Sequence, residues 1–329
     1  MANRWLFAGV DLGMIRQIGA PTTSTTAGTF NSTYADHSVT STSVGVGGFC
    51  DFTTSAGASD SVTSGETLNT LHYFYHQNNT TTAGFIFRFV DGSDQPWLAF
   101  RSTTSSGVYG FYYNSGTGAS PTWTLIGSTF SLASATLFAI NINLTIGSPH
   151  SAEIFVDGVS KASGTFTQSS LTAIDAVALT TSANSDRFSE VAATVGISLV
   201  GGHVFYGKPS GAGSNSGWTG AYTTIDDVGV DDTDLISSGT AGQRSTFAYA
   251  NLPTLAAGYT IGDSFMWTRA KNDGTAPTNV KPVRRDSGGT DNVGSSFSGM
   301  GVGFADFLTR YSVSAAEYDA SEFGVESAT

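Results

Sequence analysis

Gly84-Phe85-Ile86-Phe87-Arg88-Phe89-Val90-Asp91-Gly92, followed by Trp97-Leu98-Ala99-Phe100-Arg101 and Val108-Tyr109-Gly110-Phe111-Tyr112-Tyr113, decides the fold. Apolar and polar side chains alternate with a period of two in these runs, which is the beat of a half-buried strand and not of a helix. Leu71–His76, Thr136–Leu144 and Ala152–Val156 carry the same beat. The pairs Asp91-Gly92 and Asp157-Gly158 tolerate positive φ and predict tight hairpins, while Asn114-Ser115-Gly116 predicts a longer loop. Hairpin after hairpin implies an antiparallel sandwich.

Working outward, 329 residues leave room for two cores. Charged residues are only 12 % of the chain, but 12 % aromatic content supplies the large apolar groups that a disordered chain lacks. Pro209–Gly217 is a Gly- and Ser-rich stretch that reads as too small and flexible for a strand, and an Asp-rich run, 226–234, follows it. The expected boundary is therefore near 221, giving a jelly-roll sandwich over 1–220 and a second, smaller β-sandwich module over 221–329. In the latter, Ser245–Tyr249, Tyr259–Ala270 and Val280–Arg285 read as β. Ser314 followed three residues on by Glu317 is a capping box and predicts one short helix near 315–322.

The net charge is −12, and the 14 basic residues form no cluster, which argues against direct nucleic-acid binding. No apolar run reaches the length of a membrane span, and MANRWLFAGVDLG lacks a signal-length apolar core, so a soluble chain made in the cytoplasm is expected. His72 and His76 would stand about 13 Å apart along a strand, too far for one metal ion. The acidic run 226–234 and the Asp91/Asp94 pair lack EF-hand spacing and read as solvated turns. Gly211, Gly213 and Gly217 do not have phosphate-loop spacing. Cys50, the single cysteine, reads as a small buried apolar residue. Asp175 with Glu190, or Asp51 with Asp60, are the nearest approach to a carboxylate pair, and neither has a catalytic motif around it. No enzyme, metal or cofactor is expected. Trp97, Tyr109, Tyr112, Tyr113 and Trp123 are concentrated in one region and are the candidate platforms for stacking sugar rings, against the commoner fate of such aromatics in a core or a subunit interface.

The strand series over 68–192, with its Phe155-Val156-Asp157-Gly158 hairpin, resembles concanavalin-A-like or laminin-G-like jelly rolls. The ordered landmarks Arg187–Val191, Trp218-Thr219-Gly220, Asp231–Arg244, Phe247–Pro253, Arg269–Thr275 and Glu322–Glu326 resemble a recurrent tailed-bacteriophage virion protein. That resemblance implies a non-enzymatic part of a phage tail or capsid surface. Its partners would be further copies of itself and other virion proteins, with a host-surface glycan or receptor as the alternative ligand, and its final location would be the virion.

Overall fold

A computed structural model describes residues 4–9, 16–17, 22–23, 39–40, 45–53, 59–76, 83–117, 120–181, 187–202, 207–225, 232–252, 264–298 and 300–329. The chain divides into two compact units, Met1–Thr53 with Ser59–Val204 and Phe205–Thr329 with Thr54–Ala58.

The first unit is an antiparallel sandwich of the lectin-like, jelly-roll kind. One sheet runs in the order Val159–Phe166, His150–Val156, Thr136–Thr145, Thr67–His76, Arg187–Val195, Val39–Thr40 and Thr22–Thr23, with Arg4–Gly9 also paired to Arg187–Val195. The facing sheet runs Trp123–Ser131, Val108–Asn114, Pro96–Ser102, Phe85–Val90, Ala176–Thr181, Gly45–Asp51 and Arg16–Gln17. The two-residue beat sends Leu68, Phe74, Ile140 and Ile142 of one sheet, and Phe87, Phe89, Phe100 and Phe111 of the other, into a shared core. Phe74 meets Phe100 edge-on at 6.4 Å, and His72 lies flat on Phe87 at 4.0 Å. Cys50 is buried there as expected, and burial pushes its thiol pKa up.

The turns follow their sequence signatures with one exception. Asp157 (φ 50°) and Gly158 (φ 75°) close a tight hairpin. Asn114 organises the longer loop by accepting from the Gly116 and Thr122 N–H groups at 2.9 Å each. Asp91-Gly92 does not make a two-residue turn. Asp91 N–H donates to the Gln95 carbonyl (3.1 Å) and Asp94 takes the positive φ (60°), because the Asp91 carboxylate organises the whole loop by accepting from the Ser93 and Gln95 amides.

The second unit pairs Pro209–Ser216, Arg244–Tyr249, Glu322–Ala328, Asn279–Arg285 and Asp291–Val293 in one antiparallel sheet, and Ser264–Ala270 with Ala305–Tyr311 in another. Val280 and Val325 of the first sheet share an apolar cluster with Phe307 and Ala270 of the second, where Phe297 and Phe307 stack at 4.4 Å. The expected helix is present but shorter, Ala315–Asp319, with the Ser314 hydroxyl accepting from Glu317 N–H (3.2 Å). It stops early because Glu322 already opens a strand.

One expectation needs correction. Pro209–Ser216 is a strand. The cause is the smallness that argued against a strand: at Gly213 an added Cβ would stand 2.3 Å from the Thr246 carbonyl oxygen, so only glycine lets the two backbones approach this closely.

Candidate functional site

The structure sorts the five candidate aromatics by strand phase. In Val108–Asn114, Tyr109, Phe111 and Tyr113 share the inward face and Tyr112 points outward. Tyr109 is buried in the core, and Tyr113 packs on it by stacking against Phe166 at 4.7 Å. Trp97 is buried as well, and its indole N–H donates to Asp91 Oδ2 (2.8 Å). Tyr109 and Trp97 have no ring face to offer a ligand from solvent, while Tyr113 is partly buried on the inward side with Phe166 against its ring. Tyr112 and Trp123 are left as half-exposed rings on the outer face of the second sheet.

Around them the sheet assembles groups that the sequence reading passed over. Arg88 pairs across the sheet with Ala99, Ala99 with Tyr112, and Tyr112 with Leu125, so these four form one row on the outer face. In a neighbouring row Phe85 pairs with Arg101, and Arg101 with Gly110. The floor is made of small residues. An added Cβ at Gly110 would meet Leu125 Cδ1 at 2.8 Å and Tyr112 Cε2 at 3.0 Å, so the missing side chain is what lets Tyr112 and Leu125 fold over that strand.

On this floor the Arg101 guanidinium carbon lies 5.1 Å from the Phe85 ring centroid and 5.1 Å from that of Tyr112. Arg88 lies over the same Phe85 ring at 5.2 Å, and Phe85 in turn packs against Trp123 at 5.2 Å. Cation–π attraction holds both guanidiniums against aromatic faces. Arg88 Nε is sealed from solvent without an acceptor, and burial pushes the Arg88 pKa down. Neither arginine has a carboxylate partner among the described residues.

The remaining candidates are accounted for locally. Asp60 accepts from Arg4 Nε (2.8 Å), and Asp175 accepts from the Ser61 hydroxyl (2.5 Å). His72 turns into the core, while the side chains of His76 and Glu190 lie outside the described residues. Most of the 226–234 run is also outside them; its Asp232 binds Arg269 (2.7 Å). No group of His, Cys, Asp and Glu able to hold a metal occurs among the described residues, and no helix there is long and apolar enough to cross a membrane.

No protein-family model matches the chain, and no curated protein matches it. Among solved structures, an endo-β-1,4-glucuronan lyase from the fungus Trichoderma reesei is 14 % identical over 58 % of this chain and 94 % of its own, with a TM-score of 0.40. The globular domain of T. cruzi calreticulin is 12 % identical over 57 % of this chain and 87 % of its own (TM-score 0.39). The carbohydrate recognition domain of Emp47p is 14 % identical over 59 % and 98 % (TM-score 0.34).

Proposed function

We propose that the first unit is a carbohydrate-binding module that receives its ligand on the outer face of the second sheet and binds without turnover. The observation that carries the reading is the aromatic group Phe85, Tyr112 and Trp123, collected outside the core on a sheet face floored by Ala99 and Gly110. Half-exposed rings on a flat floor are the geometry on which the C–H face of a sugar stacks, because the ring buries apolar area while the sugar hydroxyls stay in water. A glycan array with the full chain tests it. Binding is expected to fall at least about tenfold in Trp123→Ala and in Tyr112→Ala, as the loss of one well-buried aromatic contact implies. An unchanged profile in both variants, with their melting temperatures preserved, would refute the reading.

A second reading, a self-associating structural part of a tailed-phage particle, is favoured by the ordered landmarks between 187 and 326. Two of these residues brace the second unit: Glu326 accepts from Arg244 Nε (2.6 Å), and also from Lys281 Nζ (3.1 Å) outside the landmarks. The two readings are compatible, since a particle protein can also be the one that touches the host. Immunogold labelling of intact particles separates them, a strict monomer absent from every particle counting against the second.

A further inference from the structure

We propose that the saccharide bound on this face carries a carboxylate, held by Arg88 and Arg101 while its ring lies on Tyr112 and Trp123. The proposal rests on the carbohydrate-binding reading above and adds the chemical class of the ligand.

Charge balance makes the two arginines unusual. The chain has 26 Asp and Glu against 14 Lys and Arg, so a carboxylate partner is easy to supply. Arg4, Arg244, Arg269, Arg284 and Arg285 each have one. Arg88 and Arg101 have aromatic rings instead. A half-buried guanidinium without a counter-charge loses hydration and gains little in return, and an arriving anion would restore what was lost.

The geometry also selects the kind of anion. Arg101 has two aromatic rings within cation–π distance and no carboxylate partner among the described residues, and a guanidinium donates only from the N–H groups in its own plane. That in-plane edge matches a carboxylate, which accepts two parallel N–H bonds from one guanidinium. Arg88 sets a second guanidinium over the same Phe85 ring, and because its Nε is sealed from solvent a ligand would meet its terminal N–H groups. Ala99 and Gly110 add no bulk of their own beside the two guanidiniums, and at Gly110 the Tyr112 and Leu125 side chains fold over the strand. The apolar side of the ligand then meets Trp123 and Leu125, which is 36 % exposed. A bare anion would use the arginines and ignore the rings; a neutral sugar would use the rings and leave the cations uncompensated. A uronate or sialate-type residue uses both.

The test is an array of neutral, sulfated and carboxylated glycans probed with the full chain, followed by titration of the strongest carboxylated glycan and of its methyl ester. Carboxylated glycans should dominate, esterification should weaken binding at least about tenfold, and Arg101→Gln and Arg88→Gln should each do the same to the acid while barely changing the weak binding of the ester. Arg101→Lys, which keeps the charge and loses the fork, should fail to restore full affinity. Thermal melts of the three variants matching the parent show that the sandwich is intact. Equal binding of acid and ester, sensitive to Trp123→Ala but not to Arg101→Gln, would overturn the carboxylate assignment and leave the carbohydrate reading standing. Binding confined to sulfated glycans would also overturn it. No binding to any glycan would overturn both.

Discussion

Acidification from pH 7 to pH 5 should destabilise the first unit by about 2 kcal/mol through His72 alone. This imidazole is fully buried between the sheets and stacked on Phe87 at 4.0 Å, and neither ring nitrogen has a hydrogen-bond partner. Burial disfavours the charged ring and holds its pKa at about 3, against an ordinary value of 6.5. The unfolded chain therefore takes up a proton below pH 6.5, and the folded chain does not until about pH 3. Between those values the unfolded state binds more protons, so stability is fully present above 6.5 and declines as pH falls. At about 1.36 kcal/mol per pH unit the loss is about 2 kcal/mol by pH 5 and about 4 kcal/mol by pH 3. The assay is urea denaturation at pH 7 and pH 5 for the parent and for His72→Leu, which cannot titrate. Other groups that titrate in this range contribute equally to both proteins, so the parent should lose about 2 kcal/mol more than the variant. Equal losses would show that His72 is hydrated or partnered in solution and would refute the reasoning.

The Arg4 cluster should behave as an acid-sensitive clamp at the other end of the scale. Arg4 binds Glu66 Oε1 (2.5 Å) and Asp60 Oδ2 (2.8 Å), and it is first among the groups that hold the Glu66 carboxyl down at about 2. The stability it gives is present above the ordinary carboxylate value of 4.5 and is lost as pH falls toward 2; Arg4→Ala should remove about 2 kcal/mol at pH 7 and flatten that acid limb in chemical denaturation. Gly213→Ala should disrupt the second unit selectively, because the new methyl would collide with Thr246 backbone. Calorimetry should show a second-unit transition lowered by about 10 °C or lost while the first stays in place, and an unshifted second transition would mean that the strand pairing is not as described.

Strands were legible where burial imposes a strong apolar beat and illegible where it does not. His150–Val156 buries every second residue, so its sequence alternates plainly, and Phe85–Val90 and Thr136–Thr145 bury most of their large apolar residues. Trp123–Ser131 and Val159–Phe166 bury little beyond Ile126 in the first and Ala162 and Phe166 in the second, and exposed edge strands of this kind carry no period to read. Pro209–Ser216 is the extreme case. Its partner selects it for the absence of side chains, and a residue-by-residue scale of β preference scores that absence as a loop.

The site was half legible for a related reason. Chemical type alone could not separate Tyr112 and Trp123, half-exposed on the outer sheet face, from Tyr109 and Trp97, which fill the core. The arginines carried a signal that went unused: Arg88 interrupts Phe87-Arg88-Phe89 and Arg101 ends Trp97–Arg101, both on the outward beat of strands otherwise rich in large apolar groups. What no local pattern could supply is register. Phe85, Arg101 and Gly110 become neighbours only through pairings between three strands, as do Arg88, Ala99 and Tyr112, and a slip of one residue would turn every one of these side chains to the opposite face. The core aromatics set that register by filling the space between the sheets, so the residues that stabilise the sandwich also place the arginines beside the exposed rings.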